Sequence, residues 1–427
     1  MKFSEEDQKI DTDEYFKILA WLDKHLAVGV EMERPCSKNI SEVATVLAAP
    51  LANHTSNRDL GRYKRAACSK FNVNHVIEDG SVRNNSGSPG VEIVFCGTTE
   101  SFNFIREKIH GIEKELDKLK CDDFDESCSN HISIVSLQDR VLSQTILKNI
   151  LQITRAFSPG LYWLGSSSRT RVCRNGISNY ASNLNEFTPI GKPIRELVAQ
   201  GKHRACNMSK QMLWTIGEMQ ALSGLFVEFR NPDGMRVPTA IAANMMLFKA
   251  IVHKAVELSL RGVVNADTIV DWSKVKRLTI ELMEYHNLNA AQKLALKMDV
   301  PENAKELLSF LSANIKRQSN EAYEVLQALA VKPISEHYSQ GAKNWRDIEA
   351  SISGRKPSLK LSKSEEKIVI TIVNQEIAQG TASAQRVALA QLLNVSERMV
   401  EHNFKRIRDK TGKGIAYDSE VKRYVIE

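Results

Sequence analysis

Residues 26–34 read LAVGVEMER. In an extended strand, successive side chains face opposite ways. Val28, Val30 and Met32 then share one face, while Gly29, Glu31 and Glu33 share the other. Two neighbouring carboxylates on one face repel, and burying either without a partner is costly. A hard divalent cation such as Mg2+ relieves both problems, because it takes carboxylate oxygens and water as ligands. Taken alone, an E-x-E pair is more often an exposed sheet face.

The pattern recurs further along the chain. In GVEIVF (90–95), Val91, Ile93 and Phe95 face one way and Glu92 the other. In NHISIV (130–135), His131 lies opposite Ile132 and Ile134. In GLFVEFR (224–230), Leu225, Val227 and Phe229 face one way, and Phe226, Glu228 and Arg230 the other. Four apolar strands thus each set a polar group against an aliphatic face. Together they describe a sheet whose polar face holds divalent metals at Glu31, Glu33, Glu92, His131 and Glu228, with Arg230 meeting phosphate oxygens. Such a set suits ATP-driven amide-bond formation, in which phosphorylating a carboxylate gives an acyl phosphate that an amine attacks. Single residues keep plainer readings: His131 as a satisfied core histidine, Glu228–Arg230 as a non-catalytic ion pair, Asp79-Gly80 as a turn.

The rest of the chain sets the frame. At 427 residues, 42% hydrophobic and 26% charged, it has the make-up of a globular protein of two or three domains. Its opening, MKFSEEDQKI, has no signal-peptide pattern, and the most apolar run, Ala240–Phe248, is too short to span a bilayer, so no membrane is expected. Seven cysteines without a C-x-x-C pair suggest a reduced, cytoplasmic protein with no structural zinc site. The patterns give helices over 12–25, 100–120 and 137–156, a strand over 131–135, a polar loop near 82–90 and an almost wholly helical stretch from 240 to 330. Residues 341–361, with Gly341, Gly354 and Pro357, read as a linker.

Beyond the linker the charge changes. Residues 351–427 carry 14 Lys and Arg against 9 Asp and Glu, a net +5 of the chain's +7. Residues 362–409 read as three helices, with Ser362 or Ser364 capping the first and Ser396 the third. Val400, Phe404 and Ile407 make one buried stripe on the third helix. Arg398, His402, Asn403, Lys405, Arg406 and Arg408 remain outward or flanking, suited to base edges and phosphates. GIAYDSEVKRYVIE (414–427) reads as two short strands around a polar turn. The segment resembles a winged helix-turn-helix domain, a class that binds double-stranded DNA and also serves as a protein-docking module.

The strand motifs, in their order, resemble the glutamine-synthetase-like carboxylate–amine ligases, in particular the glutamate–cysteine ligase-type and amidoligase branches. The resemblance runs from about residue 27 to about residue 260. It implies an α+β fold: a curved antiparallel sheet flanked by helices over 1–262, followed by a helical region (263–340), the linker and the winged domain (362–427). It also implies ATP and Mg2+ (or Mn2+) as cofactors and an amino-acid or peptide-like substrate. Glu31, Glu33, Glu92, His131 and Glu228 would be metal ligands, with Glu31, His131 and Arg230 serving the nucleotide. Asp79-Gly80-Ser81 would precede the second metal-binding Glu. Arg169 or Arg171, in FSPGLYWLGSSSRTR, would contact substrate or phosphate. Ser129 and Ser133 depart from the pattern, which usually has a glycine and often a second histidine there. Two functions follow as expectations: a ligase tethered to DNA, or a DNA-binding regulator or replication/assembly protein whose ligase-like domain is catalytically degenerate. A homo-oligomer fits either.

Overall fold

The computed structural model describes residues 8–36, 38–51, 68–83, 89–119, 121, 128–166, 190–199, 204–209, 211, 213–216, 219–284, 287–352, 415–418 and 423–426. They belong to two compact units, Met1–Ile352 and Ser353–Glu427.

In the first unit, α1 (Thr12–His25) runs straight into β1 (Leu26–Arg34). Asp11 starts the helix by accepting a 2.7 Å hydrogen bond from the Glu14 amide, satisfying one of its orphan donors. Then come α2 (Ile40–Leu47), β2 (Val73–Arg83) and β3 (Pro89–Thr98). Helix α3 (Phe102–Lys118) buries Ile105, Ile109, Ile112 and Leu116, the stripe its spacing dictates. Strands β4 (Asn130–Ser136) and β5 (Val141–Leu142) precede α4 (Gln144–Ala156), α5 (Ser158–Leu164) and α6 (Ile194–Val198). Four strands follow: β6 (Cys206–Asn207), β7 (Leu213–Ile216), β8 (Met219–Ser223) and β9 (Phe226–Phe229). Helices α7 (Pro238–Ser259), α8 (Trp272–Met283), α9 (Ala290–Gln318), α10 (Asn320–Val331), α11 (Ile334–Ser339) and α12 (Trp345–Ile352) complete the unit.

The main sheet has the order β2-β3-β1-β4-β9-β6, and every pairing in it is antiparallel. Strands β5, β8 and β7 form a second, small sheet. The fold class is therefore α+β. One face of the main sheet is aliphatic: Val28, Val30 and Met32, Ile93 and Phe95, Ile132 and Ile134, and Val227 and Phe229 all enter the principal core. Fully burying each such side chain contributes roughly 1.5–3 kcal/mol. Helix α7 packs against this face, with Phe248 stacked on Phe229 at 4.3 Å between ring centroids. By length and composition α7 could cross a membrane, but 94% of its most apolar window is buried inside the protein, where it is the central core helix.

Three sequence expectations change. Residues 345–352, expected in a linker, form α12. Trp345 and Ile348 are buried, Trp345 Nε1 donates to Asp117 (3.2 Å), and the Glu349 carboxylate accepts from the Thr239 amide (3.0 Å) at the N-terminus of α7. A carboxylate there meets the positive end of the helix dipole, so α12 is held by tertiary contacts that its polar sequence does not advertise. Asp79-Gly80 is no turn; it lies within β2. The cysteines are not all reduced: Cys36 pairs with Cys121 and Cys68 with Cys96 as disulfides, while Cys128 and Cys206 are buried and belong to neither bridge. The helices of residues 263–340 belong to the same compact unit as the sheet, with Gly160 of α5 so close to α9 that a Cβ would lie 2.8 Å from the Ala304 backbone.

In the second unit, β10 (Ile415–Asp418) and β11 (Arg423–Ile426) pair antiparallel from Ile415↔Ile426 to Asp418↔Arg423. These are the two short strands expected there. The helices expected over 362–409, with Arg398, His402, Asn403, Lys405, Arg406 and Arg408, lie outside the described residues.

Candidate active site

The face of the sheet opposite the aliphatic core carries the polar residues, and strand register explains why they meet. Glu31 of β1 sits directly across from His131 of β4. Glu33 sits directly across from Glu92 of β3. Ser133 of β4 sits across from Glu228 of β9, which in turn faces Asn207 of β6. Directly opposed side chains in an antiparallel pair stand only about 5 Å apart at Cβ. The alternation read from each strand and the register between strands together gather the set.

Two groups result. In the first, ligand atoms of Glu31, His131 and Glu228 all lie within 4.8 Å of one another, and all three residues are buried. In the second, Glu33, Asp79 and Glu92 do the same, with Glu33 buried and the other two half-buried. The His131 ring stands between the groups. Its Nδ1 is 3.6 Å from Glu31 Oε2 and 3.8 Å from Glu228 Oε1, while Nε2 is 3.8 Å from Glu33 Oε1. Every sequence-derived metal candidate is thus in one of two adjoining cradles.

Five carboxylates around one imidazole make an electrostatically demanding site. Burial, reinforced by Asp79, pushes the Glu33 carboxyl up to about 7, against the opposing pull of His131, Arg230 and a backbone hydrogen bond at Ser129. The Glu228 carboxylate is held differently. Arg230 Nη1 lies 2.5 Å from its Oε1, and Asn207 Nδ2 donates to its Oε2 at 2.9 Å. Arg230 therefore pairs with a cradle carboxylate while remaining on the polar face. The donor set, one imidazole with two carboxylates beside a cradle of three carboxylates, fits hard and borderline divalent cations.

The strands are fixed from behind by a buried charge network. Arg34, next to Glu33 but on the opposite side of β1, donates to Glu113 Oε1 (2.7 Å), Asn130 Oδ1 (3.1 Å) and the carbonyls of Glu33 and Met235 (2.8 and 2.9 Å). Arg236 donates to Glu113 Oε2 (2.6 Å) and Asp117 Oδ1 (2.7 Å). Glu113 is fully buried, so two guanidinium groups neutralise one carboxylate and tie together β1, the start of β4, α3 and the chain after β9. Sequence reasoning did not find this network, because its members are far apart along the chain and follow no motif.

The place of Asp79 beside Glu33 and Glu92, and the hydrogen bond from Asn207 to Glu228, were also not read from the sequence. Asp79 could have been placed by carrying the two-residue alternation through β2, where Ile77 pairs with Glu92. Asn207 stands in a two-residue strand, too short for any periodicity to show. Arg169 and Arg171 lie outside the described residues. Asp233 is buried, and its backbone forms an isolated antiparallel bridge with Ser129.

No protein-family profile matches the chain, and no curated protein matches its sequence. Among solved structures it is similar to the complex between the prokaryotic ubiquitin-like protein Pup and its ligase PafA, at 9% identity and a TM-score of 0.32, over 94% of this chain and 87% of that one. A likeness this slight transfers no residue role and no activity.

Proposed function

We propose that the first unit is an ATP- and Mg2+-dependent carboxylate–amine ligase. The observation that carries this reading is the convergence of Glu31, His131 and Glu228 beside Glu33, Asp79 and Glu92 on one sheet face. Glu31, His131 and Glu228 would hold one divalent ion and Glu33, Asp79 and Glu92 a second. When bound, Mg2+ or Mn2+ supplies Lewis-acid polarisation of phosphate oxygens. Arg230, on the same polar face, would orient and neutralise phosphate oxygens of ATP. Asn207 holds Glu228 in its rotamer through the 2.9 Å hydrogen bond, so the carboxylate is preorganised for its ligand. An amino-acid or peptide-like acid and an amine are the substrates this chemistry joins, through an acyl phosphate.

The test is ADP release by the full chain with Mg2+, across a panel of amino acids and amines. Wild type turns over one acid–amine pair, and Glu31→Ala and Glu228→Ala lose that turnover. Equal background in wild type and variants refutes the reading.

The second unit, on this proposal, holds the ligase at double-stranded DNA. Its net +5 charge and its strand pair support that reading. Removing residues 353–427 then abolishes a salt-dependent mobility shift, whereas binding that ignores salt counts against it. If the full chain shifts DNA but binds no divalent ion, the reading that replaces this one is a DNA-binding regulator with a degenerate ligase-like unit.

A further inference from the structure

One polar group on the site face takes no part in the cradles described above. Ser133 is fully buried, and among the described residues its Oγ has no hydrogen-bond partner. Leaving a buried hydroxyl unsatisfied costs about 1–3 kcal/mol, and most buried polar atoms in folded proteins avoid it. Its position is defined on three sides. Along β4 it is two residues from His131, hence on the same face. Across the sheet it is paired with Glu228 on one side and with Gly29 on the other.

That cross-strand row, Gly29–Ser133–Glu228–Asn207, separates two unlike neighbourhoods. On one side lies the next row, Glu31 with His131. On the other lies the row of Ala27, Val135 and Phe226, which packs with Val94, the β3 partner of Glu31, in a small apolar cluster. Within the row, Gly29 has no side chain and Ser133 has a single oxygen. The orphan hydroxyl therefore stands on the cradle face, directly across from Glu228 and in the row next to Glu31 and His131. Three protein donors leave a divalent ion with further coordination positions, which Mg2+-type ions fill with water.

Resting on the reading of Glu31, His131 and Glu228 as a metal cradle, we propose that Ser133 is a positioning residue of that cradle: its hydroxyl holds a water in the coordination shell of the bound ion. Ser133 thereby prefers the loaded site over the empty one, because its hydrogen bond is made only there. Groups of this outer kind typically alter metal affinity by 10- to 100-fold.

The experiment uses the full chain, Mn2+ as the probe and electron paramagnetic resonance of free Mn2+ as the readout, alongside water-proton relaxation of the bound ion. Ser133→Ala removes only the hydroxyl. Its melting temperature without metal is expected to equal or exceed that of wild type, since the orphan group is gone. Its affinity for one Mn2+ is expected to fall about tenfold, with a weaker water-relaxation signal, and Ser133→Thr, which keeps the hydroxyl, restores both. Asp79→Asn, in the other cradle, lowers the affinity of the other Mn2+ alone. Wild-type affinities and relaxation in Ser133→Ala overturn the proposal and leave the cradles standing. Absence of Mn2+ binding in wild type overturns the proposal together with the function on which it rests.

Discussion

Replacing Glu33 by Gln isolates the most strained charge in the site. In the folded chain burial raises this carboxyl from 4.5 to about 7. At 1.36 kcal/mol per pKa unit the shift corresponds to about 3 kcal/mol. The sign follows from proton uptake: between the two values the folded state holds a proton that the unfolded state has released. The contribution of Glu33 to stability is thus fully present below pH 4.5 and is lost as pH rises through about 7. Glutamine resembles the protonated acid and has no such loss. In chelator, the two proteins should melt together near pH 4.5. By pH 8 Glu33→Gln should melt higher, by up to about 6 °C if 1 kcal/mol moves a chain of this size by about 2 °C. Saturating Mn2+ should reverse the order at pH 8, because a cation rewards the ionised carboxylate that glutamine lacks. The assay is differential scanning fluorimetry from pH 4.5 to 8, with and without Mn2+. Melting temperatures of the two proteins that run parallel across that range would refute the assignment of Glu33 as a buried, proton-holding carboxyl.

Other outcomes follow from the scaffold. Glu113→Ala removes the carboxylate of buried Arg34 and one of the two that Arg236 pairs with, and should cost about 3–5 kcal/mol in urea unfolding; a loss under 1 kcal/mol would mean the network does not secure β1. Cys36→Ser removes a bridge between residues 85 apart in sequence and should destabilise the non-reduced protein by roughly 2–5 kcal/mol in urea unfolding. Unchanged stability would argue against the pairing.

The polar face was legible because its signal is local. Glu31 and Glu33, Glu92, His131 and Glu228 each sit in a strand whose aliphatic alternation marks their face, and period two survives whatever the strand pairs with. What brings the five together is register, and no single strand encodes that. Asp79 shows the cost: its Asp-Gly looks like a turn until β3 pairs with it. The Arg34–Glu113–Arg236 network and the two disulfides join residues distant in sequence, so spacing carries no trace of them. Helix α12 was hidden for another reason. Its sequence is polar and its flanks are rich in turn formers, and it is stabilised by Trp345 in the core and by Glu349 on the end of α7, both contacts outside the segment.

The central claim is that one sheet face holds two divalent ions in two adjoining cradles. Anomalous scattering from a crystal of the full chain soaked with Mn2+ and ATP measures this directly. Two manganese peaks are expected, one bounded by Glu31, His131 and Glu228 and the other by Glu33, Asp79 and Glu92. No peak on that face, or manganese bound only elsewhere, would contradict it.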